Sequence, residues 1–503
     1  MIDALLIYPK LGSMDSMFID LPLSIIYAAS DSVKAGYNIK LSDLRTIDAD
    51  WRLELNSLFK NKIMLAGVSV MTGKPLQYAK EISQYIRKIS PETKIIWGGP
   101  HVTVVPDTIN EPYIDFIIRG YGSKPLESLL RELKTHTGDF SQIPGISYKV
   151  DNKVVHNPKS KEHEIILHKD IPYALMDINS PKYKRTYNNQ KMFPIFSSIG
   201  CPYKCTFCLH PTVYEELNNP KWKPIEVDEV VSHMEFIISR YQANHIVFID
   251  DTSFPNIPRM KLLFEQILEK KINISLEFRG ARINEIDRMT EDFLDLMVRA
   301  GTKMIMAGVE SGSDRLLSRN NKNTTVEQIL RVNKKLSQFP QIKVHYNFIY
   351  GMPGETYEDL LETKKVALQL IRDNPEAYIG CGSDWKPIPG TKMLEYAQKE
   401  YDYHVPGTLE EWIEIDSFDS VKKIVHPWYT KKMNNMIKLL QISSIVIDDK
   451  LIKVSDSNKS FLYKIFILCS IIYKPIALFR LKYNFTYFMI EYDIWRFIIK
   501  LLG

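Results

Sequence analysis

The chain has 503 residues, of which 45% are hydrophobic and 25% charged. That is an ordinary globular composition; it excludes a disordered or fibrous chain and leaves room for two or three domains, each with its own core. Net charge is only +5, but Val421–Gly503 carries fourteen Lys or Arg against five Asp or Glu, so a basic C-terminal region follows a mildly acidic body.

Met1-Ile2-Asp3-Ala4 lacks the basic start and cleavage site of a secretory signal. Ala4–Tyr8 is a short apolar run, expected as a buried strand. Leu23–Ala35 has helical spacing and ends at Gly36, which suits a helix C-terminus. Further strands are expected at Tyr37–Leu44, Lys62–Val70, Lys94–Trp97 and Ile114–Ile118, with helices at Leu76–Ile89 and Pro125–Leu133. Alternation of β and α at these lengths implies a doubly wound parallel sheet over residues 1–140. Residues 141–190, with Pro144, Pro158, Pro172 and Pro181, read as a linker holding a small β element near Ile146–Val155.

A second β/α series fills 191–397. Its strands are expected at Phe193–Ser198, His245–Asp250, Ile274–Arg279, Met304–Val309, Val344–Tyr350 and Ala377–Gly382. Helices such as Val227–Tyr241, Thr290–Ala300, Val326–Ser337 and Tyr357–Arg372 fall between them. Six units in line suit an open (β/α)6 partial TIM barrel, the full eight-unit barrel needing more chain. Residues 398–503 are crowded with aromatics and read as a separate, mainly helical domain. Its most apolar stretch, Ile465–Tyr473, falls short of the roughly 18–20 residues that span a bilayer.

Five cysteines, three of them clustered, argue against a disulfide framework and for a reducing, cytoplasmic setting; Cys381 and Cys469 stand alone. The cluster is Gly200-Cys201-Pro202-Tyr203-Lys204-Cys205-Thr206-Phe207-Cys208, just after the first strand of the second series. Three thiolates in a tight loop can bind three irons of a [4Fe–4S] cluster and leave the fourth open to a small ligand. A zinc site would need a fourth ligand, and His210 offers one only at an unusual spacing.

C-x3-C-x2-C with an aromatic before the last cysteine resembles the signature of the radical S-adenosylmethionine superfamily. The resemblance extends over about residues 190–395 and implies that the open iron binds S-adenosylmethionine, with Phe207 beside it. In the cobalamin-dependent branch, Phe248-Ile249-Asp250-Asp251-Thr252 is similar to the segment that approaches the methionyl amine. Arg282 resembles the strand-three arginine, whose guanidinium suits a carboxylate. Gly308-Val309-Glu310-Ser311-Gly312 resembles the segment that reads the ribose. Gly351-Met352-Pro353-Gly354-Glu355-Thr356 is similar to the segment that packs on adenine. Lys386-Pro387-Ile388-Pro389-Gly390-Thr391 is similar to the proline-rich turn after strand six.

The loops Gly67–Gly73 and Gly98–Thr103 follow parallel strands, where doubly wound folds bind ligands. This half resembles a cobalamin-binding, Rossmann-like domain, which implies that Ser69, Thr72, Gly98 and Gly99 line a pocket for cobalamin. Two departures stand out. Pro9–Asp15 lacks the D-x-H-x-x-G motif, so no histidine lower ligand is expected, and Gly120-Tyr121-Gly122-Ser123 replaces the acidic G-E-G-E run.

Together these resemblances imply a radical enzyme with [4Fe–4S] cluster, S-adenosylmethionine and cobalamin that methylates an unactivated carbon. Two alternatives use the same residues: a radical oxidase or cyclase, as in the similar anaerobic Mg-protoporphyrin cyclase, and a non-catalytic cobalamin- or redox-binding module. A reducing protein such as flavodoxin or ferredoxin is the expected partner, and no nucleic acid is. The C-terminal aromatics with Arg480, Lys482 and Arg496 suit a small-molecule or lipid-like anionic substrate, or peripheral contact with the inner membrane face.

Overall fold

Seven strands pair into the first sheet: β1 (Ile2–Tyr8), β2 (Ile39–Asp43), β3 (Ile63–Ser69), β4 (Lys94–Gly98), β5 (Phe116–Ile118), β6 (Ile146–Val150) and β7 (Lys153–His156). Their order is β2-β1-β3-β4-β5-β6-β7. The computed structural model describes residues 1–12, 15, 20–47, 50–151, 153–183, 190–380, 382–415, 426–447 and 461–502. Cys381 and part of the loop after β1 lie outside them.

β1 to β5 run parallel. Helices cover both faces of such a sheet, so its strands are continuous apolar runs, and all of β1 except Tyr8 is buried. Helix Lys74–Ile89 shows the matching pattern: Pro75 sits in its first turn, and Leu76, Ala79, Ile82, Ser83 and Ile86 form its buried face. Leu23–Ala35 runs as two helices, Leu23–Ala28 and Ser30–Lys34, rather than one. The β element expected in the linker is the antiparallel edge of this sheet, β6 pairing with β5 and β7 with β6. No residue of β7 is fully buried, as befits an edge strand covered on one side only.

The second series supplies β8 (Met192–Ile195), β9 (Ser198–Gly200), β10 (Trp222–Pro224), β11 (His245–Phe248), β12 (Ser275–Arg282), β13 (Thr302–Glu310), β14 (Lys343–Tyr350), β15 (Ala377–Ile379) and β16 (Ser383–Asp384). Six of them lie parallel in the order β8-β11-β12-β13-β14-β15. Neighbours in sequence are neighbours in space, as short right-handed crossovers dictate, and the result is the open six-unit barrel. Capping boxes start two crossover helices, Thr325 with Gln328 before Val326–Leu336 and Thr356 with Asp359 before Tyr357–Asp373. β9 and β10 form a small antiparallel pair of their own.

The region after the barrel is helical but not separate. In helix Lys431–Ile447, Met433, Met436, Ile437 and Leu440 repeat at helical spacing and join the barrel's core. Trp385, Met393, Leu394, Leu409 and Trp412 instead join the core on one face of the first sheet, beside Trp97 and Val102. The chain after β15 therefore packs against both domains. Among the described residues, no helix is long and apolar enough to cross a membrane.

Candidate active site

The cysteine loop is held at both ends by β9 and β10, Gly200 pairing with Trp222. Gly200 has φ +85, and a Cβ there would lie 2.1 Å from the Lys221 carbonyl oxygen, so only glycine fits. Within the loop, Cys208 N donates to the Cys205 carbonyl (3.2 Å), and Thr206 N donates to the Asn320 carbonyl (3.1 Å). Met393 N donates in turn to the Thr206 carbonyl (2.9 Å). Cys205 is buried, and Cys201 and Cys208 are half-buried. Burial pushes the Cys201 thiol up to about 12 and the Cys208 thiol up to about 11.

Among the described residues, no three His, Cys, Asp or Glu side chains converge on one ion position. A cuboidal iron–sulfur cluster takes one thiolate per iron, so its ligands stand apart around it, and the loop's donor set fits that group.

The barrel residues that the resemblance singles out fall into distinct settings. Arg282 ends β12 and turns to the cysteine loop: Nη1 donates to the Cys205 sulfur (3.1 Å) and Nη2 to the Lys322 carbonyl. Glu310, at φ +69, pairs with Lys322 Nζ at 2.7 Å. Phe207 is half-buried, with Lys322 Nζ 5.8 Å from its ring centre. Ser311 is fully buried and shares a hydrogen bond with Thr363 (3.3 Å).

Asp250 accepts from Ser197 N (2.6 Å), Ser197 Oγ (2.6 Å) and Ser198 N (3.0 Å). Burial pushes its carboxyl up to about 6. Both oxygens are thus engaged in fixing the turn from β8 to β9, not presented to a methionyl amine. Asp251 faces a cavity instead, accepting from the Tyr214 hydroxyl (2.8 Å) with His210 Nδ1 at 3.3 Å. Gly351, at φ +73, lies beneath the C-terminal region: Trp428 Nε1 donates to its carbonyl (3.0 Å), and the Tyr429 hydroxyl stands 1.4 Å from where a Cβ would be. The Pro353 carbonyl accepts from Arg319, and Gly351 N donates to Glu355, whose carboxyl burial pushes up to about 8.

A cavity of about 540 Å3 lies between the two sheets. Ser69, Gly98, Gly99 and Gly120–Ser123 wall it from the first domain; Phe196, Ser198, Tyr214 and Asp251 wall it from the barrel. A Cβ on Gly98 would meet nothing within 4 Å, so the backbone there opens onto a cradle that a large flat ligand can enter. Gly99 is constrained differently, with φ +124 and the Val70 carbonyl oxygen 2.4 Å from its Cβ position. Ser69 Oγ bonds Ser24 Oγ at 3.0 Å.

Thr72 corrects the expectation: it is not part of this wall, and its hydroxyl meets His101 Nδ1 at 2.9 Å. His101 is buried edge-on to Trp412, and burial pushes its imidazole down to about 4. His101 therefore serves the packing of the first domain on the C-terminal region, and Thr72 holds its ring. Tyr214, Lys322 and Tyr429 all border the candidate site without having been singled out from sequence. No local motif marks any of them; each gets there by packing between segments far apart in the chain.

Residues 22–130 match the B12 binding domain family, and residues 195–367 match the radical SAM superfamily. Over 446 residues the chain is 26% identical to a methyltransferase of Pyrococcus horikoshii described as uncharacterized, covering 88% of this chain and 92% of that protein. Over 360 residues it is 26% identical to the anaerobic magnesium-protoporphyrin IX monomethyl ester cyclase of Rubrivivax gelatinosus, covering 69% of this chain and 61% of the cyclase. Two solved structures share the fold. One is the cobalamin-dependent S-adenosylmethionine radical enzyme OxsB with aqua-cobalamin and S-adenosylmethionine bound (TM-score 0.69, 18% identity, 96% of this chain and 72% of that one). The other is the methyltransferase TsrM from Kitasatospora setae with cobalamin and [4Fe–4S] cluster bound (TM-score 0.64, 20% identity, 81% and 80%). With both family matches in the order in which the two sheets occur, this chain carries a B12 binding domain followed by a radical SAM superfamily domain.

Proposed function

We propose that this protein is a radical C-methyltransferase using a [4Fe–4S] cluster on Cys201, Cys205 and Cys208 together with S-adenosylmethionine and cobalamin. The observation that carries this reading is the shared cavity, walled on one side by the ends of the first sheet's strands and on the other by the ends of barrel strands. When bound, the cluster supplies the electron that splits S-adenosylmethionine into a 5′-deoxyadenosyl radical, and cobalamin supplies the methyl group. The chain's own residues hold the two halves together. The antiparallel β9–β10 pair anchors the three thiol ligands. Gly98 leaves room for a corrin-sized ligand at the first domain. The apolar wall, including Phe196 and Ile249, keeps water from the space between them. Asp251 with Tyr214 and His210 presents the polar edge of that wall. The extended similarity to a methyltransferase and the shared fold with OxsB and TsrM support the reading.

Loaded anaerobically with cluster and cobalamin and given S-adenosylmethionine labelled in its methyl group, the protein is expected to release 5′-deoxyadenosine and to move label onto its cobalamin. Deoxyadenosine without label transfer would favour the oxidase or cyclase reading, which the similarity to the Rubrivivax gelatinosus cyclase supports. Neither product would overturn the enzyme reading and leave a binding module.

The substrate class and partners belong to the same proposal. A small molecule occupies the site, and a low-potential reductant such as flavodoxin or ferredoxin supplies the electron. An amphipathic substrate or a bilayer surface fits the C-terminal region, where Leu468, Ile472, Phe479, Tyr487 and Phe488 are all exposed beside the exposed Lys482. Arg480 does not contribute to that basic face: it is buried and donates to the carbonyls of Phe485, Tyr487 and Phe488, capping the turn between the last two helices. Co-sedimentation with vesicles rich in phosphatidylglycerol is the expected result, and protein left wholly in the supernatant would remove the membrane contact.

A further inference from the structure

Arg282 is a buried cation, 8% exposed, fixed on four sides. Its Nη1 donates to the Cys205 sulfur at 3.1 Å, Nη2 to the Lys322 carbonyl, and Nε to Asn284 Oδ1 at 3.3 Å. The guanidinium carbon lies 3.8 Å from the centre of the Tyr203 ring. Each of its three nitrogens already donates one bond within the chain and the Tyr203 ring lies against the guanidinium, so the group is held at the Cys205 sulfur, with one N–H left on each of Nη1 and Nη2. The nearby Lys322 ammonium is taken up by Glu310, which leaves the guanidinium as the cation in contact with a cysteine sulfur.

A charge held there acts on whatever that sulfur ligates. Hydrogen bonds to ligand sulfurs and local net charge set the potentials of iron–sulfur clusters. One-electron reduction adds negative charge, which an adjacent buried guanidinium stabilises more than water-exposed surroundings would. We infer that Arg282 is a positioning residue of the cluster, raising its reduction potential through the Cys205 sulfur rather than clamping the methionyl carboxylate. The electron comes from the low-potential reductant and goes to the cluster; no bond to Arg282 forms or breaks. The inference rests on the cluster reading above.

Arg282→Gln and Arg282→Lys, reconstituted anaerobically beside the unaltered protein, test it through iron content, a potential titration followed by electron paramagnetic resonance, and equilibrium binding of S-adenosylmethionine. The Gln variant is expected to keep its iron while its reduction equilibrium falls about tenfold, 59 mV for one electron, and its affinity for S-adenosylmethionine changes by less than about threefold. The Lys variant, which keeps a charge without the fork, is expected to shift the same way by less. An unchanged midpoint with S-adenosylmethionine affinity down about tenfold would overturn the inference and make Arg282 a carboxylate clamp. Should the Gln variant bind no iron, the Lys variant decides, and a midpoint equal to that of the unaltered protein again overturns it. An unaltered protein that takes up no cluster would sink the cluster reading itself, a result distinct from either.

Discussion

Alanine at Cys201, Cys205 or Cys208 is expected to leave a folded protein that no longer retains a four-iron cluster and has lost S-adenosylmethionine cleavage by about a thousandfold or more. On the proposed cluster each thiolate would serve one iron, and no other cysteine is near enough in sequence to replace it. Folding is expected to survive because the loop is held mainly by backbone hydrogen bonds from Thr206, Cys208 and Met393, which side-chain truncation leaves in place. Cys205→Ala is the most disruptive of the three, since it removes the sulfur that accepts from the buried Arg282 and leaves that donor without its partner. Iron content after anaerobic purification, read beside a thermal melt, checks this. A single variant that keeps its iron and still cleaves S-adenosylmethionine would show that the cysteines are not the ligands.

Gly98→Leu is expected to weaken cobalamin binding severely while leaving the fold intact. The position lies at the end of β4 with an ordinary backbone conformation, and an added Cβ would meet nothing within 4 Å, so the backbone can carry a side chain there. It would project into the cavity that a corrin needs, and affinity is expected to fall about a hundredfold or more, nearly 3 kcal/mol. Gly99→Ala is the contrasting case. Its φ of +124 and the Val70 oxygen 2.4 Å from the new Cβ force the loop itself to move, so it is expected to cost about 1–3 kcal/mol of stability. Titration with hydroxocobalamin followed by absorbance, together with melting temperatures, separates the two. Undiminished cobalamin affinity in Gly98→Leu would remove this cavity as the cobalamin site.

Some parts of the molecule were legible because the information is local. β1 and β3 announce themselves as apolar runs, since a parallel strand is buried on both faces. The crossover helices show their buried faces at helical spacing and carry their own caps. β6 and β7 were harder to place: an edge hairpin with one covered face has a weak pattern, and nothing in it says which sheet it will extend.

By itself the sequence determined the two β/α series, their order, and a cysteine loop able to hold a cluster, because three ligands within eight residues need no tertiary contact to come together. The tertiary structure alone decided which side chains face the chemistry. Of two adjacent carboxylates, Asp250 was drawn into the β8–β9 turn and Asp251 left at the cavity. Thr72 was taken by His101, Arg282 by Cys205, and Gly351 was covered by Trp428, 77 residues away. The physical reason is one of range: hydrophobic spacing and turn residues act over a few positions, whereas a hydrogen bond between loops depends on how whole strands and helices pack before those loops can meet.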